Sequence, residues 1–201
     1  TAALLAPYGV RVGTPEEADV AVVFVESPAC NPYSAADAES GGNGYLPITL
    51  QYRPYTADTA RAESIAGGDF REGFTNRSYR GKTNIAYNES DLDNILACRR
   101  AMGEKPVVVC AALNNPMVMR EFERDADAIV VEFGVSRAAV LDVVFGDYEP
   151  TGRLPIQIPK DMETVEAQSE DRALDMEPHV DEAGNSYDYG FGLNYGGVIK
   201  S

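Results

Sequence analysis

The sequence has little histidine, little cysteine and no multi-residue metal motif, and each shortage excludes a class of site. His179 is the single histidine. Metal sites built from several histidines are therefore excluded, and a Ser-His-Asp triad would depend on one position, which we expect to be an exposed loop residue. The cysteines Cys30, Cys98 and Cys110 are odd in number and far apart, so neither disulfides nor a zinc cluster is expected. Cys98 and Cys110 stand in apolar patterns, which predicts buried small side chains.

Long hydrophobic runs and basic residues are also scarce. No apolar run approaches the roughly 18 residues of a membrane span, so no membrane is expected as a partner. No basic segment followed by an apolar core is present, so no signal peptide is predicted. A start without Met suggests a mature or cut piece of a longer protein. Lys and Arg number 17 against 32 Asp and Glu, a formal charge of −15. Such a surface repels nucleic acid and anionic lipid but not a neutral sugar.

The order of elements predicts an α/β protein. Three short, β-branched apolar runs are typical of strands covered on both faces of a parallel sheet, at 20–25, 107–112 and 128–133. Helical patterns separate them, with starts at Ser90, Asn115-Pro116 and Ser136. This alternation predicts a doubly wound, mostly parallel sheet in a three-layer α/β/α sandwich, with residues 1–201 forming a single domain.

A loop-rich insertion of about 27–88 interrupts this pattern and is too long for an ordinary crossover, so we expect it to be functional or to form an interface. It contains ESGGNGYLP at 39–47. A nucleotide-binding glycine fingerprint must lie directly at a strand-to-helix turn. This one is remote from the first strand and leads into a proline, so it predicts a loop with positive φ or a close backbone approach instead.

Carboxylates in and beside this insertion are the candidate catalytic groups. Ligands of doubly wound sheets bind beyond the carboxyl ends of the strands, where Glu26, Asn114 and Glu132 stand. Cleavage of a glycosidic bond with retention needs two carboxylates roughly 5 Å apart. From the residues alone, Glu26, Glu39 and Glu63 are candidates, although a single glutamate of an acidic protein is most often a solvated surface residue.

Aromatic and amide side chains of the insertion suit a sugar site or a protein interface. The candidate substrate-binding residues are Tyr33, Asn43 and Tyr45.

Several segments resemble the carboxyl-terminal α/β sandwich domain of glycoside hydrolase family 3. The segment VVFGDYEPTGRLP at 143–155 matches the family's LFGDYNPSGRLP type of segment, and YGFGLNY at 189–195 matches its closing YGFGLSY. Further matches are ADVAVV at 18–23 and KPVVV at 105–109 followed by Asn115-Pro116. The resemblance spans nearly the whole chain and is weakest over 27–88.

The resemblance implies β-glucosidase, β-xylosidase or exo-glucanase activity by the retaining mechanism, without a cofactor, on a β-linked oligosaccharide or glucoside. In that family an amino-terminal (β/α)₈ barrel supplies the nucleophile. The sandwich domain supplies the acid/base glutamate from a loop after an early strand. The sequence lacks the barrel, so the resemblance implies one domain of a two-domain enzyme, with the barrel of the same protein as its partner and no catalysis by the domain alone.

Two departures from the family pattern affect the site. The family's Pro-Gly-x-Glu-Gly motif reads FGVSR at 133–137. Its Gly-Glu-x-Pro-Tyr-x-Glu motif is echoed only by Glu26-Ser27-Pro28 and, across an insertion, by Pro32-Tyr33 and Glu39. Glu39 and Glu26 are therefore alternative acid/base candidates. Glu39 is preferred, because a mobile loop reaches over a barrel mouth more easily than a strand end, although the insertion leaves open a transfer of the role to Glu63.

A second class of function is a non-catalytic interaction domain, whose tyrosine-rich insertion forms a homodimer or binds carbohydrate. A nucleotide-binding enzyme is disfavoured by the missing phosphate loop. The sugar, the linkage and the oligomeric state are open. So is the location, since a signal would precede the barrel, and a periplasmic or secreted bacterial protein is the expectation.

Overall fold

The structure is a computed structural model that describes residues 2–169 and 171–200. Its strands are β1 (Ala21–Glu26), β2 (Tyr55–Thr56), β3 (Thr83–Asn84), β4 (Val107–Ala112), β5 (Ala128–Glu132), β6 (Leu193–Asn194) and β7 (Gly197–Val198). Its α-helices are α1 (Ala2–Leu5), α2 (Ala35–Glu39), α3 (Ser90–Met102), α4 (Arg137–Val144) and α5 (Met162–Ala167). Short 3₁₀ helices cover Ala6–Tyr8, Met119–Glu121 and Glu123–Asp125.

A three-stranded parallel sheet in the order β1-β4-β5 lies at the centre. Ala21 pairs with Val107, and Val108 pairs with Ala128. The three strands coincide with the three apolar runs to within one residue at each end. The predicted α/β class and its parallel sheet are therefore confirmed.

One face of this sheet forms the main core. Val25, Val109 and Ala111 are buried on that face. Helix α3 covers it, with Leu92 and Ile95 packed inward as their helical spacing predicts. The opposite face is less well covered, since Phe24 of β1 keeps 36% of its surface exposed even with the guanidinium of Arg137 stacked 5.2 Å from its ring centroid.

Helices α3 and α4 begin at or directly after their predicted starts, Ser90 and Ser136, although no side chain caps α3. Ser136 accepts a hydrogen bond from the backbone N–H of Ala139 and caps α4. Gly103 ends α3 with a positive φ, which glycine adopts without strain. Val140 and Leu141 of α4 are buried, as predicted.

The prediction of a helix that starts at Asn115-Pro116 is wrong. The chain forms two successive 3₁₀ turns there, Met119–Glu121 and Glu123–Asp125. Met117, Val118, Met119 and Phe122 are all buried, whereas Arg120 and Arg124 are exposed. Three of these buried residues are consecutive, which is not the spacing of a single apolar face on an α-helix.

The expectation that His179 is exposed is also wrong. It is buried, with its ring edge-on to Tyr187 at 5.2 Å between centroids. Its Nε2 lies 3.7 Å from Oε2 of Glu123. Among the cysteines, Cys110 is buried as predicted, and desolvation raises the pKa of its thiol to about 12, whereas Cys98 is only half-buried.

The insertion at 27–88 has a small core of its own. Leu50, Tyr55 and Ala57 pack with Val118 and with Met162 of α5. The antiparallel pair β2–β3 closes the insertion, with Tyr55 opposite Asn84. The insertion is therefore anchored on the rest of the domain at both of its ends and in its middle.

Candidate functional site

Glu26 stands at the carboxyl end of β1 and is exposed, while hydrogen bonds fix its main chain. The hydroxyl of Tyr52 donates to the Glu26 carbonyl oxygen at 2.5 Å, and the side-chain amide of Asn88 donates to the same oxygen at 3.2 Å. The backbone N–H of Glu26 donates to Asp91 at 3.2 Å. The position of this strand end is thus fixed by residues of the insertion and of α3.

Tyr52 is itself fixed by a half-buried carboxylate. Glu121 accepts hydrogen bonds from the backbone N–H groups of Tyr52 at 2.6 Å and Arg53 at 3.0 Å. Burial raises the pKa of Glu121 above its ordinary value, and these two hydrogen bonds oppose the rise. Sequence reasoning missed both Tyr52 and Glu121, because no local pattern distinguishes them from other tyrosines and glutamates.

The other strand ends use their polar groups for structure. The hydroxyl of Ser27 accepts the N–H groups of Asn114 at 3.0 Å and Asn115 at 3.3 Å. The carboxylate of Glu132 accepts those of Gly134 at 2.5 Å and Val135 at 2.7 Å. The turn after β5, where the family motif is missing, is therefore held by Glu132.

Glu39 is the last residue of α2 and is exposed. Ser34 caps this helix by accepting the N–H of Asp37 at 3.2 Å. After Glu39 the chain turns back on itself, since the carbonyl of Asp37 accepts the N–H of Gly42 at 2.8 Å. Glu39 thus lies at the tip of a compact, hydrogen-bonded loop.

The glycines of this loop are required by close packing, as the sequence predicted. A Cβ atom on Gly42 would lie 2.2 Å from Oδ2 of Asp37, and one on Gly44 would lie 2.3 Å from the ring of Tyr33. Gly44 also has a φ of 78°. The space beside these glycines is filled by the Asp37 carboxylate and the Tyr33 ring, whereas in a phosphate-binding loop it would be filled by a ligand.

The three residues predicted to bind substrate lie together. The rings of Tyr33 and Tyr45 meet edge-on at 6.3 Å, and the N–H of Tyr45 donates to the Asn43 side chain at 3.0 Å. Their exposure differs, because Tyr33 is 48% exposed while Tyr45 is half-buried beneath the guanidinium of Arg77. The amide nitrogen of Asn43 already donates to two backbone carbonyl oxygens. Of the three, Tyr33 presents the most surface to a ligand.

Neither of two cavities on the described part of the chain is lined by Glu26 or Glu39. One of about 230 Å³ lies between the insertion and α5 and is lined by Arg61, Tyr79 and Glu166 among others. Glu166 accepts the hydroxyls of Tyr55 at 3.1 Å and Tyr79 at 3.2 Å.

The second cavity, of about 380 Å³, lies beside His179 and is lined by charged residues of both signs. Within 2–169 and 171–200, no cluster of three or more His, Cys, Asp or Glu side chains is arranged to hold a metal ion. The same residues contain no helix with the length and apolar character needed to cross a membrane.

The segments most similar to the glycosidase family are hydrogen-bonded to each other. The N–H of Leu154 donates to the Phe191 carbonyl at 2.7 Å, and the N–H of Gly190 donates back to Leu154 at 2.8 Å. The hydroxyl of Tyr195 donates to the carbonyls of Val143 at 2.5 Å and Tyr148 at 3.0 Å. Residues 9–195 match the model of the glycosyl hydrolase family 3 C-terminal domain. The chain belongs to this family.

Curated relatives of this family 3 domain carry β-glucosidase names. It is 40% identical to β-glucosidase C of Emericella nidulans over 90 residues. This aligned region is 45% of the chain and 14% of that protein. Over 96 residues it is 38% identical to the probable β-glucosidase C of Aspergillus flavus, with 48% and 14% covered. The periplasmic β-glucosidase of Salmonella typhimurium is 32% identical over 129 residues, with 57% and 17% covered. The matched part is thus less than a fifth of each relative.

Proposed function

We propose that the chain is the carboxyl-terminal domain of a retaining β-glycosidase of the β-glucosidase or exo-glucanase type. It acts on the non-reducing end of a β-linked oligosaccharide or glucoside. The family match over residues 9–195 carries the proposal. As the family resemblance implies, the nucleophile comes from an amino-terminal (β/α)₈ barrel of the same protein, and this domain contributes the acid/base loop and the surface that meets the barrel.

Glu39 is the residue to which we assign the acid/base role, with Glu26 as the alternative. In a retaining mechanism this group protonates the departing glycosidic oxygen and later takes a proton from the attacking water. Glu39 is exposed at the tip of a loop, where a second domain can enclose it. Glu26 is exposed as well, but its strand end is fixed to the domain through Tyr52.

The exposed surface supports a missing second domain. The chain exposes 11820 Å², whereas a monomeric protein of 21.7 kDa exposes about 9,200 Å². Neither cavity described above contains a candidate glutamate. We expect the sugar site to be completed by surface from outside this chain, which a barrel facing the Glu39 loop would provide.

Single replacements in the full-length enzyme test this assignment. Glu39→Ala and Glu26→Ala are assayed on an aryl β-glucoside, with Glu104→Ala, an exposed glutamate beyond the end of α3, as the matched control. The variant that lacks the acid/base group should lose at least about a hundredfold in rate, the low end of general acid catalysis. Added azide should restore its turnover, because this small nucleophile replaces the water that the glutamate activates. If neither variant loses that much, both assignments fail.

A non-catalytic role in carbohydrate binding or homodimerisation is the second candidate. Aromatic and apolar side chains stand out from the insertion, with Tyr87 78%, Phe70 91% and Ile65 74% exposed. Such residues suit sugar stacking or an interface between copies. Titration of the chain with a β-linked oligosaccharide, together with sedimentation analysis, would detect either function without requiring turnover.

A further inference from the structure

Three polar side chains join the Glu39 loop to the rest of the insertion. The ammonium group of Lys82 donates to Oδ2 of Asp37 at 2.6 Å and to Oδ1 of Asn43 at 2.6 Å. The same Asp37 oxygen accepts the N–H of Gly44 at 2.7 Å. The ion pair is about three-quarters buried on each side, so water and salt screen it less than an exposed pair.

Asn43 extends this contact to a third stretch of chain. Its amide nitrogen donates to the carbonyl oxygens of Asn76 at 2.9 Å and Ser78 at 2.7 Å. Lys82 is held in turn by the β2–β3 hairpin, since its carbonyl accepts the N–H of Ala57 at 3.0 Å. Ala57 is fully buried in the core of the insertion. The main chain of Lys82 is therefore hydrogen-bonded to a buried residue of this core.

Glu39 depends on these contacts for its position. It lies two residues after Asp37 on a helix of five residues, and a helix this short does not persist by its own hydrogen bonds. The contacts that hold it are those of Asp37, whose carbonyl also accepts the hydroxyl of Ser40 at 2.9 Å. Loss of the Lys82–Asp37 pair would remove the ion pair that joins this helix to the rest of the insertion, while the cap from Ser34 would remain.

We propose that Lys82 is a positioning residue for catalysis, which acts through Asp37 and Asn43 to hold Glu39 where it protonates the leaving oxygen. This inference rests on the acid/base role proposed for Glu39. A general acid displaced by about 1 Å can lose up to a hundredfold in rate. Loss of Lys82 should therefore resemble a partial loss of Glu39, and it should matter most where the leaving group needs a proton.

Two substrates separate positioning from general structural damage. Dinitrophenyl β-glucoside releases its phenolate without protonation, whereas phenyl β-glucoside requires a general acid. The quantity measured is kcat/KM, which reports cleavage of the glycosidic bond in both cases. The full-length enzyme is compared with Lys82→Met, Lys82→Arg, Asp37→Asn and Glu39→Ala. Lys160→Met is the matched control, because Lys160 forms a surface pair with Glu177 far from this loop.

Glu39→Ala should lose about a hundredfold or more on the phenyl substrate and far less on the dinitrophenyl substrate. Lys82→Met and Asp37→Asn should show the same selectivity with a loss of about tenfold or more, and Lys82→Arg should recover most of the rate, since it keeps the charge. Lys160→Met should behave as the unaltered enzyme.

Equal losses on both substrates for Lys82→Met and Asp37→Asn would overturn the positioning role, as would unchanged rates. Unfolding midpoints of each variant identify any that fail to fold, and Asp37→Asn then decides alone, because it retains an acceptor for Gly44. If Glu39→Ala shows no preference between substrates, the acid assignment fails first and takes this inference with it.

Discussion

At the scale of single residues, several carboxylates accept hydrogen bonds from backbone N–H groups at the points where secondary-structure elements join. Asp127 precedes β5, accepts the N–H of Val107 at 2.8 Å and pairs with Arg99 of α3 at 2.9 Å. One side chain thus ties two strands and a helix at the amino edge of the sheet. The hydrogen bond from Val107 is the largest of the effects that hold the pKa of Asp127 below its ordinary value of 3.8.

The pH dependence of stability should reveal this contact. A carboxyl whose pKa is lowered by folding stabilises the native state above its unfolded pKa, and the stabilisation disappears as pH falls through the folded pKa. The difference in unfolding free energy between the unaltered chain and Asp127→Asn should therefore be largest near neutral pH and shrink below about pH 4. Urea denaturation between pH 7 and pH 3 measures it. A difference that does not change with pH would show that the charge on Asp127 contributes nothing.

Sequence reasoning found the exposed candidates but not the residues that hold them. Glu26 and Glu39 were found because they follow a strand and a family-like motif. Tyr52, Asp37 and Lys82 have partners distant in sequence, such as the pair of Asp37 with Lys82. Such a pairing depends on how the insertion folds back on itself, and no local sequence pattern predicts it.

At the scale of elements, local signals succeeded where the segment had one face to bury. The apolar runs and the caps at Ser136 and Gly103 gave β1, β4, β5, α3 and α4 close to their observed bounds. They failed after Asn115-Pro116, where the three consecutive side chains from Met117 to Met119 are buried. They also could not foresee the small core of the insertion, because its members come from the insertion, from α5 and from Val118.

The Glu39 loop gives an element-level prediction. Gly44→Ala should destabilise the protein and move Tyr33, because the added methyl group would meet the tyrosine ring at 2.3 Å on a backbone with positive φ. Strain of this kind costs on the order of 1–3 kcal/mol. Gly41→Ala is the matched control, since Gly41 has a φ of 94° but open space around it, and should suffer only the backbone cost. Thermal unfolding compares the two, and an equal effect would exclude the clash with Tyr33.

At the scale of the whole molecule, the chain has a core but too much surface. The main cluster of buried residues runs through the sheet, α3 and the insertion. The sheet face that carries Phe24 stays partly uncovered. We expect this core to be sufficient for folding, and the surplus surface is consistent with the proposed contact with a barrel domain.

The isolated chain should therefore fold and yet be inactive. We expect a cooperative unfolding transition by circular dichroism and no hydrolysis of an aryl β-glucoside at enzyme concentrations where the full-length protein is readily assayed. The reason is that retention needs a nucleophile as well as an acid/base group, and the proposed function places the nucleophile in the barrel. Measurable turnover by the chain alone would contradict the division of the site between two domains, and a non-cooperative transition would contradict independent folding.

The pairing of β1 with β4 has a consequence for folding kinetics. Ala21 and Val107 become neighbours only after the whole insertion and α3 have been enclosed between them. Closing so long a loop adds little to the equilibrium cost, since each doubling of its length costs only about 0.6 kcal/mol. It does slow the search for the correct register, because parallel pairing between distant segments forms late. During synthesis β1 leaves the ribosome before its partner β4. The segment that carries Glu39 must therefore fold, or remain exposed, before the parallel sheet forms.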